Sequence, residues 1–99
     1  MSSPNHYHNR ICQELSLRGI LYMEEYTIGR FSVDLYLPEY RRIVEIDGPL
    51  HMKKADRWRE EEILALRPEL HFVRVKVGVP VPEAMAEILH VCERSLRNG

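Results

Sequence analysis

The segment FSVDLYLPEYRRIVEIDGPLH (residues 31–51) contains two strand-like runs separated by Pro38. Side chains alternate between the two faces of a strand. One face of the first run is therefore predicted to carry its apolar residues Phe31, Val33 and Leu35. The opposite face carries Asp34, and the second run places Glu45 and Asp47 on one face before Gly48-Pro49 ends it. Acidic side chains are thus predicted within two neighbouring strands.

The rest of the chain predicts the elements around these two strands. Apolar residues recurring every three or four positions predict helices over Asn5–Arg18, over Met52–Leu66 and from Pro82 onwards. Strands are predicted over Leu21–Tyr26, Arg30–Leu37, Arg41–Asp47 and His71–Val77, with a turn at Thr27-Ile28-Gly29. This α-β-β-β-α-β-α order favours an antiparallel meander and a fourth strand parallel to the third. The expected fold is α/β, with helices on both faces of a small mixed sheet.

Length and composition limit the classes of protein that fit. Ninety-nine residues predict a single domain over 1–99. The net charge of −1 argues against a protein that coats nucleic acid through a global positive field. No apolar run approaches the roughly 18 residues of a membrane helix, and the first residues lack a signal-peptide pattern. Cys12 and Cys92 have no metal-type spacing and are interpreted as reduced thiols, which predicts a cytoplasmic location.

The acids in the strands are the unusual feature of the sequence. Carboxylates are depleted in strands and are rarely buried without a partner. Two of them about 4 Å apart repel by roughly 4 kcal/mol at an effective dielectric near 20. A divalent cation bound by Asp34, Glu45 and Asp47 would remove that repulsion, and Mg²⁺ is commonly held by one or two carboxylates. The alternative is an exposed sheet face or pairing with Arg30, Arg41 or Arg42.

Four motifs together resemble the very-short-patch-repair (Vsr)-like branch of the PD-(D/E)XK nuclease superfamily. They are VDLYLPE (33–39), IVEIDGPLH (43–51), Asp56-x-x-Arg59-x-x-x-Ile63 and FVRV (72–75). The resemblance covers about residues 11–77. It implies a restriction-endonuclease-like αβββαβ core with an extra C-terminal helix. It also implies one or two Mg²⁺ ions, for which Mn²⁺ can substitute, and hydrolysis of phosphodiester bonds.

The resemblance also implies roles for particular residues. Asp34 corresponds to the strand aspartate that binds metal, and Glu45 and Asp47 occupy the (D/E)-x-K positions, with Asp47 where the superfamily has lysine. His51 corresponds to a catalytic histidine and Asp56 to the acid of the following helix. Family members usually carry a glutamate on the core-facing side of the first helix. Here either His8 replaces it, or Glu14 serves from the edge of that face, or the role is vacant.

The sequence also contains basic residues next to the acids. These residues are candidates for contacts with phosphates: Lys53, Lys54, Arg57 and Arg59. The alternative is that Lys53, Lys54 and Arg57 form a solvated face of ion pairs with Glu60, Glu61 and Glu62. The leading expectation is a Mg²⁺-dependent endonuclease or nickase acting on duplex DNA, as a homodimer or with a partner protein that supplies target specificity. The run EIDGPLH also resembles the RAP domain, which implies a non-catalytic RNA-binding module. Independently of this choice, the alternative role of His51 is to cap the second helix.

Overall fold

The computed structural model describes the backbone of residues 4–48 and 53–98 and the side chains of residues 6–48 and 57–90. Its three α-helices are α1 (Pro4–Leu17), α2 (Lys53–Leu66) and α3 (Val81–Asn98). Its four strands are β1 (Met23–Ile28), β2 (Phe31–Leu37), β3 (Arg42–Asp47) and β4 (His71–Lys76). A 3-10 helix, Pro38–Tyr40, joins β2 to β3, because proline fixes a turn conformation and cannot continue the ladder.

The sheet has the predicted topology. Its strands lie in the order β1-β2-β3-β4, with antiparallel pairing between the first three strands and parallel pairing between β3 and β4. The crossover between the parallel strands contains α2. The prediction of a small α/β fold with a mixed sheet and helices on both of its faces is confirmed.

Two apolar clusters hold the helices against the sheet. The first contains buried residues of α1 and α3, including Ile11, Leu15, Met85 and Ile88, and strand residues such as Val44 and Val75. The second lies on the other face, where Ile63 of α2 packs with Ile28, Val33, Tyr36, Ile43 and Leu70. Burial of these side chains supplies the main favourable term in folding. Among the described residues, no helix is both long and apolar enough to span a membrane.

Two local predictions were wrong. The turn between β1 and β2 lies at Gly29-Arg30, and β1 continues through Ile28, which is buried. The reason is the positive φ of Gly29, +60°, at the first central position of a two-residue turn, where the favoured hairpin geometry calls for glycine. The regular alternation in β2 also fails, since Val33 packs with the α2 cluster whereas Leu35 packs with α1 and α3. The break falls at Asp34.

We predict that Gly29→Ala destabilises the fold by about 1 to 2 kcal/mol, the cost of a left-handed conformation for an L-residue. An added Cβ would also lie 2.7 Å from Leu66 Cδ1. Gly19→Ala is the control, because Gly19 has a similar φ of +71° and nothing within 4 Å of an added Cβ. Urea unfolding should show a larger loss for Gly29→Ala than for Gly19→Ala. Equal losses would mean that Leu66 moves aside without cost.

Candidate functional site

Asp34 and Glu45 lie where the ladder between β2 and β3 stops. The last paired residues are Leu35 and Val44. Beyond them the backbone N–H of Asp34 donates to Glu45 Oε2 at 3.0 Å, and the N–H of Ile46 donates to Asp34 Oδ2 at 2.8 Å. The two carboxylates therefore accept hydrogen bonds that backbone carbonyls accept elsewhere in the sheet.

The pairing of β2 with β1 is also interrupted at Asp34. The β1–β2 ladder contains the Glu24–Leu35 and Tyr26–Val33 pairs but lacks the intervening Glu25–Asp34 pair. Glu25 has a φ of +49°, a conformation that is uncommon for residues other than glycine. Asp34 thus lies at a break in both ladders, which explains why the side-chain alternation of β2 changes there.

Glu45 is buried, with 5% of its surface exposed, and is paired with Arg59 of α2. Arg59 Nη1 donates to Glu45 Oε1, while Nη2 donates to the carbonyl oxygen of Ser32. Burial raises the pKa of Glu45, while hydrogen bonds from Arg59 and from the backbone N–H of Asp34 act in the opposite direction. The nearby charge of Asp34 raises that pKa further. This pair links the central strand to α2.

Asp47 belongs to a second set of ion pairs on the same face. Arg74 of β4 donates from Nη1 to Asp47 Oδ1 at 3.0 Å and from Nε to Glu60 Oε2 at 2.6 Å. Where the acids of β3 pair, their partners are therefore Arg59 and Arg74, not the arginines that the ion-pair alternative named. Arg74 comes from β4, the predicted parallel neighbour of β3, whereas Arg59 reaches Glu45 from α2, whose docking the sequence order does not specify.

A polar cleft lies between α1, β1 and β2. Its volume is about 450 Å³, and it is lined by His8, Asn9, Glu24, Glu25, Ser32, Val33 and Asp34. His8 Nε2 lies 2.9 Å from Glu24 Oε1. Glu14 instead pairs with Arg18 one turn along α1. Of the first-helix candidates left open by the sequence, His8 is the one that lines a cleft with Asp34.

The three predicted metal ligands are not gathered into one cluster. Asp34, Glu45 and Asp47 do not place one oxygen each within 4.8 Å of one another. In the part of the chain with described side chains, the one group of three ligand-type side chains that meets this limit is His8, Cys12 and Glu24. Burial and the neighbouring Glu24 raise the pKa of the Cys12 thiol to about 11. Metal binding by the strand acids stays a prediction.

The remaining predicted site residues fall into two groups. His51 and the side chains of Lys53, Lys54 and Asp56 lie outside the described residues. Arg57 is exposed and accessible, as a phosphate contact requires. Arg59 is engaged by Glu45 and Ser32, so its predicted contact with phosphate would require that pair to break. The reason is the position of Arg59 on the sheet-facing side of α2.

The structure adds an exposed aromatic cluster and two acids to the site; from the sequence alone, Trp58 fits either base stacking or helix packing. Trp58 is 51% exposed and meets Phe31 edge-on, with ring centroids 5.8 Å apart. The Arg30 guanidinium lies 5.2 Å from the Phe31 ring centre and 5.5 Å from that of Trp58. We name Arg30, Phe31 and Trp58 the aromatic cluster. Sequence reasoning missed Glu24 and Glu25, although adjacent acids in a strand were the available signal.

No protein-family model, curated protein or solved structure matches this chain. The resemblances to Vsr-like nucleases and to the RAP domain therefore rest on the sequence motifs. The function is inferred below from the geometry of the cleft together with those motifs.

We predict that Arg59→Met destabilises the fold by about 3 to 5 kcal/mol near neutral pH, because it leaves the buried Glu45 carboxylate without its partner. The remaining burial and the Asp34 charge then hold the pKa of Glu45 above its unfolded value. Protonation of Glu45 relieves this cost, so the loss should be smaller at about pH 5 than at about pH 7.

Chemical unfolding at both pH values measures this effect. Arg57→Met is the matched control, because Arg57 is exposed on the same helix and should change stability by less than about 0.5 kcal/mol. Similar losses for the two variants, or a loss that is independent of pH, would contradict the structural role of the Arg59–Glu45 pair.

Proposed function

We propose that the protein is a metal-dependent nuclease that hydrolyses phosphodiester bonds in DNA. The observation that carries the proposal is the position of Asp34, which interrupts both ladders of β2 and lines a polar cleft with His8. Departures from regular pairing at an acidic residue cost stability and concentrate at functional sites. The Vsr-like motifs assign a metal-binding role to the same aspartate.

Asp34 is the acid best placed to hold Mg²⁺. Its Oδ2 accepts the N–H of Ile46, which fixes the side chain, while Oδ1 has no hydrogen-bond partner among the described residues. Oxygen ligands of this kind suit Mg²⁺. Both oxygens of Glu45 are engaged, so Glu45 orients the backbone of Asp34 and would bind a cation only by releasing Arg59. Asp47 remains with Arg74.

The cleft has the charge expected of a cation-dependent site. Glu24, Glu25 and Asp34 contribute three carboxylates to its wall, against the single imidazole of His8. Phosphate would be repelled from this wall until a cation is present. A bound Mg²⁺ would neutralise phosphate charge and lower the pKa of a coordinated water. Histidine is the side chain that most often serves as a general acid or base, and His8 lines the same cleft as Asp34.

The aromatic cluster is a candidate surface for nucleic acid. Phe31 belongs to β2, the strand that also contributes Ser32 and Asp34 to the wall of the cleft. Exposed aromatic rings can stack with unpaired bases, and Arg30 and Arg57 supply positive charge for phosphates. This local positive charge explains how a protein of net charge −1 can bind a polyanion.

The second candidate function is a non-catalytic nucleic-acid-binding module, as the RAP-like motif implies. The observation in its favour is the ion pairing of Glu45 with Arg59 and of Asp47 with Arg74. These arginines neutralise two of the three strand acids without any metal. The two functions make different predictions: the nuclease cleaves DNA and needs Asp34 to do so, whereas the binding module does not cleave DNA.

We predict that the protein nicks or linearises supercoiled plasmid in the presence of Mg²⁺ or Mn²⁺, and that Asp34→Asn abolishes this activity. Asparagine retains an oxygen that can accept the Ile46 N–H but removes the charge that binds a cation. Glu39→Gln is the matched control, because Glu39 is an exposed acid in the 3-10 helix after β2. Full cleavage by a folded Asp34→Asn variant would overturn the assignment. Cleavage by neither protein would favour the binding module.

We also predict that Trp58→Ala weakens binding of a single-stranded oligonucleotide by about 1 to 3 kcal/mol, the usual cost of losing one base–aromatic stack. Fluorescence anisotropy in Ca²⁺, which avoids turnover, measures the affinity. Leu17→Ala is the control, because Leu17 is an exposed apolar residue on α1. Equal affinities of Trp58→Ala and wild type would remove the aromatic cluster from the nucleic-acid surface under either function.

A further inference from the structure

Three side chains of different chemistry converge at the buried side of the cleft. His8 and Cys12 lie four residues apart on α1, which places them one turn apart on the same face. Glu24 of β1 faces them, and one ligand atom from each of the three side chains lies within 4.8 Å of the others. Cys12 is 6% exposed, so a thiol, an imidazole and a carboxylate meet next to the core.

We propose that His8 Nε2, Cys12 Sγ and a Glu24 carboxylate oxygen form a binding site for Zn²⁺. The proposal concerns a cation different from the Mg²⁺ assigned to Asp34, but it uses the same His8 imidazole, which cannot transfer a proton through Nε2 while that nitrogen holds Zn²⁺. The donor set decides between the two metals: a sulfur ligand suits Zn²⁺ and disfavours Mg²⁺, which prefers oxygen. Binding displaces the proton of the Cys12 thiol, which leaves to solvent.

The spacing of the ligand atoms fits this ion after small movements. Bond lengths of about 2.0 Å to nitrogen or oxygen and 2.3 Å to sulfur imply tetrahedral ligand separations of about 3.3 to 3.5 Å. His8 Nε2 and Glu24 Oε1, now 2.9 Å apart, would have to separate slightly. The Glu24 side chain is about half exposed, so rotation of its carboxylate allows this without moving the backbone.

The surroundings supply an entry path and a free coordination position. Glu24 lines two cavities at once, the polar cleft with Asp34 and a second cavity of about 730 Å³ beside Cys12 and Tyr22. A cation can therefore reach the three ligands from solvent. Three protein ligands with a fourth position open to water are the arrangement of catalytic zinc sites, whereas structural sites usually have four.

Cobalt substitution of the 99-residue chain tests the proposal. Co²⁺ replaces Zn²⁺ in tetrahedral sites, and a thiolate ligand gives it a charge-transfer absorption in the near ultraviolet. We expect this band in the wild type, its displacement by Zn²⁺, and its loss in Cys12→Ser. Cys92→Ser is the matched control and should retain the band. Asp34→Asn should also retain it, which separates this site from the proposed nuclease site.

Glu24→Gln provides a second variant that does not disturb the core. It should raise the dissociation constant for Zn²⁺ by at least about tenfold, since loss of even an outer-shell contact costs that much. A band that survives in Cys12→Ser, or affinity unchanged in Glu24→Gln, would overturn the site. Absence of the band in the wild type would reduce the three residues to a hydrogen-bonded cluster only.

Discussion

A carboxylate buried in a central strand is the constraint on which this structure depends. Glu45 accepts a hydrogen bond from the backbone of Asp34 and pairs with Arg59, so one side chain joins β2, β3 and α2. Arg59 in turn reaches the carbonyl oxygen of Ser32. A buried charge of this kind contributes little net stability while it is paired, but removing its partner strongly destabilises the fold. The pair therefore fixes where α2 packs more than it strengthens the packing.

The same constraint shapes the cleft. Because the Asp34 and Glu45 side chains accept hydrogen bonds normally made to the backbone, the strands are held at this level without a regular ladder. The break turns Val33 and Leu35 towards different clusters and leaves Asp34 half-buried in the wall of the cleft. Asparagine could accept the Ile46 N–H at position 34 without charge, so this hydrogen bond alone does not require an acid there. The charge of Glu45 has a structural role, because its carboxylate pairs with Arg59.

Local patterns were sufficient to predict the order of the elements and the topology of the sheet. Apolar periodicity marks the helices, alternation marks the strands, and a helix between the third and fourth strands allows parallel pairing. The break at Asp34 was not predictable, since alternation assumes an uninterrupted ladder. The turn was misplaced because Ile28, which looked like a turn residue before Gly29, is buried in the apolar cluster of α2.

The sequence predicts site residues only where one residue type is unusual for its element, as an acid is in a strand. Asp34, Glu45 and Asp47 are recognisable as acids in strands, and His8 follows from the face of α1. Their partners depend on how the helices dock: Arg59 and Arg74 reach β3 from α2 and β4, and Glu24 meets Cys12 only when α1 lies across β1. The spacing of His8 and Cys12 was visible in the sequence, but two residues on one helix do not specify a third ligand from a strand.

Binding of Mg²⁺ in the absence of nucleic acid tests most directly whether Asp34 holds a divalent cation. Isothermal titration calorimetry should compare the wild type with Asp34→Asn and with Cys12→Ser. We expect Mg²⁺ to bind the wild type and Cys12→Ser alike and to fail to bind Asp34→Asn. Equal Mg²⁺ binding by wild type and Asp34→Asn, or no binding by any of the three proteins, would contradict this assignment.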